Sequence, residues 1–245
     1  MKHEQNIALL IDCDNASYHA IESVLNELAK YGITNIRQAY GNWKNPNLKG
    51  WEDPFAITPV QQFAYTQGKN ATDAAMIIAA AIDFLYTQNL DAFALMTSDS
   101  DFTPLAMRIL TNGLKVYGFG EQKTPSPFVN ACSQFIYTEN IVLSSDENGK
   151  NTDAQKDTKK SRKLKGDTKL VKLLRNAAEQ TAEEDGWSNL GHVGKYISNN
   201  TSFSPINYGY KKLSDLIKDS ELFHIKMGNK KSVMHIKDSR KSNDK

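Results

Sequence analysis

The stretch DAFALMTSDSDF, residues 91–102, decides the fold. From Asp91 to Thr97 it is an almost unbroken apolar run, too short for a buried helix and the right length for a strand covered on both faces. Ser98-Asp99-Ser100-Asp101 then breaks the run with polar turn residues, and Phe102 to Leu110 follows at helical spacing with Gly113 to close it. A strand that feeds a helix through a carboxylate-bearing loop is the repeating unit of a parallel α/β sheet.

The same unit recurs on either side. Ile7 to Asp12 is a strand, and Ser17 to Lys30 is a helix with Ile21, Val24, Leu25 and Leu28 on one face and Gly32 as the expected C-terminal cap. Asn35 to Tyr40, Val60 to Tyr65, Lys115 to Phe119 and Gln134 to Tyr137 supply further strands. Thr72 to Tyr86 is a nearly all-apolar helix (Met76, Ile77, Ile78, Ile82, Leu85) with Asp73 in its first turn. This alternation predicts a Rossmann-like, mostly parallel sheet. Gly118-Phe119-Gly120 lacks the dinucleotide fingerprint and reads as a turn.

In such a sheet, sites form where the strands end in loops. Asp12 and Asp14 close the first strand, Asp99 and Asp101 follow the fourth, and residues two apart in an extended chain point the same way. Asp73 approaches from a third segment, behind Gly68-Lys69-Asn70. Carboxylates gathered in one crevice repel unless protons or cations neutralise them, and Mg²⁺ or Mn²⁺ are the matching hard cations. The five histidines have no paired spacing and there is no Cys/His ligand set, which excludes a zinc site of ordinary design; no motif supports a Ser-His-Asp triad. Hard cations on carboxylates point to phosphoryl chemistry.

The remaining chain is organised differently. A net charge of +2 conceals a balance of −6 up to Asp146 and +8 beyond it, compatible with a polyanion-binding module behind a metal-binding one. Residues 144–165 are almost devoid of apolar side chains and read as a flexible linker. Beyond them, Leu170, Leu173, Leu174, Ala177 and Ala178 mark one amphipathic helix, Leu190, Val193 and Ile197 a second, and Tyr210, Leu213 and Ile217 a third. Phe223, Ile225 and Met227, a Gly228-Asn229 turn and Val233 to Ile236 complete a winged-helix pattern, with Trp187 expected in its core and residues 239–245 as a disordered tail. Cys13 and Cys132 read as buried thiols, and no apolar run is long enough to span a membrane, so a soluble cytoplasmic protein is expected.

LLIDCDNAS, GKNATDAAMIIAAAIDFLY, FALMTSDSDFTPLAMRI and GLKVYGFGEQKTPSPFVNACSQFIY, in that order, resemble a bacterial NYN domain of the PIN-like nuclease superfamily. The resemblance spans roughly residues 4 to 143, assigning 1–143 to a nuclease domain, and implies metal-dependent cleavage of RNA. It implies Asp12, Asp73, Asp99 and Asp101 as the acidic residues, Mg²⁺ or Mn²⁺ as the metal they hold, and Asn15 as an orienting group. Lys69 and Ser98 lie inside the same motifs, as candidates to meet RNA.

GWSNLGHVGKYISNN with FSPINYGYKKLSDLIKDSELFHI resembles an OST-HTH, or LOTUS, domain over residues 166–238. That likeness implies RNA binding, of structured or G-rich RNA in some members, and protein partners in others. Lys195, Lys211 and Lys212, near Tyr208 and Tyr210, are the RNA-binding candidates, with Tyr210 in core phase with Leu213 and Ile217. Two other functions stay open on sequence: an RNA-binding adaptor without nuclease activity, and an aspartate-nucleophile phosphatase suggested by Asp12-Cys13-Asp14, where Asn15 replaces the expected glycine.

Overall fold

A computed structural model describes residues 4–43, 45–52, 57–61, 76–77, 84, 89–146, 163–228 and 233–240. The chain divides into two compact units, Met1–Asp146 and Glu147–Lys245. No helix among the described residues is long and apolar enough to cross a membrane.

The first unit is built on six parallel strands: β1 (Gln5–Asp12), β2 (Gly32–Gly41), β3 (Thr58–Gln61), β4 (Ala92–Met96), β5 (Lys115–Gly120) and β6 (Gln134–Tyr137). Their order across the sheet is β3-β2-β1-β4-β5-β6. Pairing therefore runs one way from β1 and the other way from β4, so the crevice between their carboxyl ends is the topological switch point where ligands bind in open α/β sheets. The expected Rossmann-like parallel architecture is the one observed.

Burial explains the apolar runs. Ile7 to Ile11 and Ala92 to Leu95 are each 0% exposed. Ala8 and Leu10 join one core cluster with Phe102, with Leu105 and Ile109 of α2 (Thr103–Thr111) and with Phe128 of α3 (Ser126–Ala131). Helices α1 (Ile21–Leu28) and α4 (Thr138–Asp146) pack on each other apart from that cluster. With Ile7, Leu9 and Ile11 equally buried, the sheet is covered on both faces.

Several local expectations change. The first helix opens as a 3-10 turn, Tyr18–Ala20, and becomes α-helical only at Ile21. Gly32 caps nothing: it begins β2 against β1, where a Cβ would lie 2.1 Å from the Gln5 carbonyl oxygen. Gly118 and Gly120 belong to β5 rather than to a turn, and Gly118 is bare because Phe135 and Cys132 fill the space of its Cβ. Gly113 does close α2, at φ +80°. Cys13 and Cys132 are buried free thiols, and burial pushes the Cys132 thiol up to about 12. The third strand is described from Thr58 to Gln61, and most of the expected helix Thr72 to Tyr86 lies outside the described residues.

The second unit is the expected winged helix: α5 (Thr168–Gln180), β7 (Ser188–Asn189), α6 (Leu190–Asn200), α7 (Leu213–Ser220), β8 (Phe223–Met227) and β9 (Met234–Asp238), with strand order β7-β9-β8. Asp167 caps α5 by accepting from the N–H groups of Lys169 and Leu170, each at 3.0 Å. Leu170, Leu174, Val193, Ile197, Leu216 and Ile217 form the core, and Tyr210 is buried with them.

Its margins differ from the sequence reading. Lys163 to Gly166 is helical and Leu164 is buried in this core, while α4 runs to Asp146, so both ends of the linker stretch 144–165 are helical. Met227 pairs with Met234, so the hairpin loop is longer than a Gly228-Asn229 turn. Arg240, in the supposed tail, instead donates to Asp238 at 2.8 Å. Trp187 is half-buried outside the core, beneath the Lys226 ammonium at 5.6 Å from its ring centroid.

Candidate active site

Parallel pairing of β1 with β4 sets Ile11 opposite Met96, so the next residues out, Asp12 and Thr97, meet at the switch point. Thr97 Oγ1 donates to Asp12 Oδ2 at 2.7 Å, across 85 residues of sequence, and both residues are 0% exposed. The same hydroxyl accepts from the Asp99 N–H at 3.0 Å. One threonine thus fastens the loop carrying Asp99 to the carboxylate that ends β1.

The turn after β1 closes on Asp12 as well. Asn15 Nδ2 donates to Asp12 Oδ2 at 2.9 Å, and the Asp14 N–H donates to Oδ1 at 3.2 Å. Asp99 Oδ1 accepts from the Asp101 N–H at 2.9 Å, capping the 3-10 turn Ser100–Phe102 and fixing where α2 begins. Asp101 enters the network through that N–H, with its side chain toward solvent. Ser98 Oγ accepts from the Glu121 N–H at 3.0 Å, tying the β4 loop to the end of β5. Gly120 makes that approach possible, because a Cβ there would sit 2.5 Å from the Thr97 carbonyl oxygen.

Burial raises the Asp12 carboxyl above the ordinary carboxylate range; the hydrogen bonds from Thr97 and Asn15 pull it back, and the Asp14 charge pushes it up again. A cation beside it would offset the same desolvation. Acceptor capacity remains on Asp12 Oδ1, which receives one long hydrogen bond, and on Asp99 Oδ2, for which no donor is seen among the described residues. Two hard oxygen donors suit Mg²⁺ or Mn²⁺ in chemistry, since Mg²⁺ keeps several waters and uses only one or two carboxylates. No group of three or more His, Cys, Asp or Glu among the described residues could hold an ion alone.

Of the residues expected at this site, Asp12 ends β1, and Asn15, Ser98, Asp99 and Asp101 lie in the segments that follow β1 and β4. Asp73 and Lys69 lie outside the described residues. Thr97 was visible in sequence only as the last residue of a strand; its position directly after β4, beside the strand that ends in Asp12, was the available signal. In the second unit Lys195, Lys211 and Lys212 are exposed, Lys195 on α6 and the other pair ahead of α7. Tyr208 is half-buried against Phe203, with ring centroids 5.7 Å apart.

Comparison with known proteins agrees with this division. The NYN domain family matches residues 6–143, and the OST-HTH/LOTUS domain family matches residues 162–235. No curated protein matches the chain. Among solved structures, a protein of unknown function from Vibrio parahaemolyticus is 18% identical, with 56% of this chain and 94% of that one covered and a TM-score of 0.45. An uncharacterized protein from Nitrosomonas europaea is 33% identical, with 28% of this chain and 71% of that one covered and a TM-score of 0.26. The chain belongs to the NYN family and carries an OST-HTH/LOTUS domain after its NYN domain.

Proposed function

We propose that this chain is a metal-dependent endoribonuclease that hydrolyses RNA phosphodiester bonds at the carboxyl edge of its parallel sheet. The observation that carries the reading is the Thr97 hydroxyl joining Asp12 to the Asp99 loop at the β1/β4 switch point. Asp12, Asp99 and Asp101, together with Asp73, would hold the cation, and Asn15 would keep the Asp12 carboxylate oriented. Bound there, Mg²⁺ or Mn²⁺ would supply activation of water and stabilisation of charge on the phosphoryl oxygens. Thr97 and Asn15 favour the ionised form of Asp12 in a buried setting, and Asp99 keeps one oxygen available while the other secures the turn. Lys69 and Ser98 would meet the RNA backbone.

The OST-HTH/LOTUS domain would bind RNA through Lys195, Lys211 and Lys212, raising its local concentration at the nuclease unit. Two free cysteines, both buried, suit a reducing cytoplasm. Membership of the NYN family favours this reading over an aspartate-nucleophile phosphatase.

The test uses Asp12→Asn and Asp99→Asn proteins on labelled RNA with and without Mn²⁺. Loss of metal-dependent cleavage by at least about 100-fold in both is expected for groups that stabilise the transition state. Undiminished cleavage by folded variants would refute the site. Cleavage absent from the wild type, with RNA binding retained, would favour the adaptor function.

A further inference from the structure

We infer that Tyr18 and His19, with Lys49 beside them, form a stacking subsite for an unpaired nucleobase of single-stranded RNA; the inference rests on the nuclease reading and names the substrate form it takes. Two segments build the subsite, both leaving carboxyl ends of adjacent strands. Residues 13–20 follow β1, and the 3-10 segment Pro46–Glu52 follows β2. The second folds back on the first: Leu48 Cδ1 and Cys13 Cβ would lie 2.8 and 3.1 Å from a Cβ on Gly41.

Gly50 is pressed against the Tyr18 ring, where a Cβ would fall 2.5 Å from Cδ1 and Cε1. Trp51, only 8% exposed, meets that ring edge-on at 6.5 Å. The His19 ring lies 3.9 Å from the Tyr18 ring at an interplanar angle of 34°. Tyr18 itself remains 39% exposed, and His19 is exposed too. A tyrosine braced by a glycine backbone and a buried tryptophan, yet open to solvent, has already lost the rotamer freedom that a ligand would otherwise have to remove.

A tilted, solvent-facing ring pair offers aromatic surface to a nucleobase, since every base has a π-face whatever its sequence. Bases inside an RNA duplex are already stacked, so only unpaired ones can use it. Lys49 is exposed and directly precedes Gly50, the residue pressed against Tyr18, so this segment carries a cation in a unit whose net charge is −6. It suits a backbone phosphate beside the stacked base. Asn15 and Asp14 lie three and four residues before Tyr18, so the platform belongs to the same segment after β1 that closes on Asp12.

The experiment titrates the full chain, in EDTA so that no turnover occurs, with a short single-stranded RNA carrying 2-aminopurine at each position in turn. Wild type is expected to quench at least one position, and Tyr18→Phe to keep that quench. Tyr18→Ala and His19→Ala should each weaken binding reported there about tenfold, the size of one lost base–aromatic stack. Lys49→Ala should reduce the slope of log affinity against log salt by about 0.7, one phosphate contact on a single strand.

His19→Ala removes an exposed ring and leaves the Gly50 and Trp51 contacts that brace Tyr18 in place, so it tests the subsite with the segment packing intact. A quench profile and affinity identical in wild type, Tyr18→Ala and His19→Ala overturn the inference, as does no quench at any position. Quench that depends on Tyr18 and His19 without any cleavage in Mn²⁺ sinks the nuclease reading alone; cleavage with an unchanged quench profile sinks the subsite alone.

Discussion

Replacing Thr97 by valine keeps the shape of the side chain and deletes one hydroxyl. That hydroxyl donates to a buried carboxylate and accepts from the Asp99 N–H. A hydrogen bond to a charged group contributes about 1.5–3 kcal/mol net, and a valine leaves the Asp12 oxygen without its nearest buried donor. We expect a loss of about 2 kcal/mol, which for a domain of this size corresponds to about 4–8 °C in Tm. Thr97→Ser should recover most of it. The assay is calorimetric unfolding of the full chain in EDTA, following the transition of the NYN domain while that of the OST-HTH/LOTUS domain serves as an internal reference. As pH falls through the raised pKa of Asp12 the gap should narrow, because a neutral acid accepts a weaker hydrogen bond than a carboxylate. A Thr97→Val protein as stable as wild type near neutral pH, or a gap that does not depend on pH, would refute the role given to this hydroxyl.

Further outcomes follow from the same geometry. Gly120→Ala should destabilise the NYN domain by about 1–3 kcal/mol by overpacking against Thr97 and Thr124, measured by the same calorimetry. Since burial raises the Asp12 pKa in the folded state, this group favours folding most below its unfolded pKa, and the advantage is lost as pH rises through the folded pKa. Asp12→Asn should remove that decline in metal-free protein, seen as a flatter Tm profile above the carboxylate range. Asp238 behaves oppositely: burial would raise it, but Arg240, assisted by Arg175, holds it below the usual value, so its stabilisation is present above the unfolded pKa and lost on acidification. Arg240→Ala should shift the acid unfolding midpoint of the OST-HTH/LOTUS domain to higher pH.

The sheet was legible because both central strands are buried on two faces, which leaves continuous apolar runs such as Ile7 to Ile11 that no exposed element can carry. Helix edges were less so. Gly32 sits where a cap belongs, but the close approach of Gln5 determines its identity, and contacts between distant segments leave no local trace. Gly118 and Gly120 were misplaced for the same reason: the neighbours that exclude their side chains, Phe135 and the Thr97 carbonyl, arrive from other strands. At the site, carboxylates were readable from their places at strand ends, whereas Thr97 was not, since its importance comes from register rather than residue type. Trp187 was misassigned because a large apolar ring can be covered by a lysine stem as well as by a core.

The strand order has a consequence for how the protein is made. β1 finds β2 early in synthesis, but its other edge is filled only by β4, whose pairing starts at Ala92. Until Ala92 and the residues after it have left the ribosome, the nascent chain carries an apolar strand with one row of backbone groups unpaired, a template for pairing with the wrong chain. The Asp12–Thr97 bond closes in that same event. A chain stalled before Thr97 therefore lacks the Asp12–Thr97 junction, which arises only once the hazardous edge has been sealed.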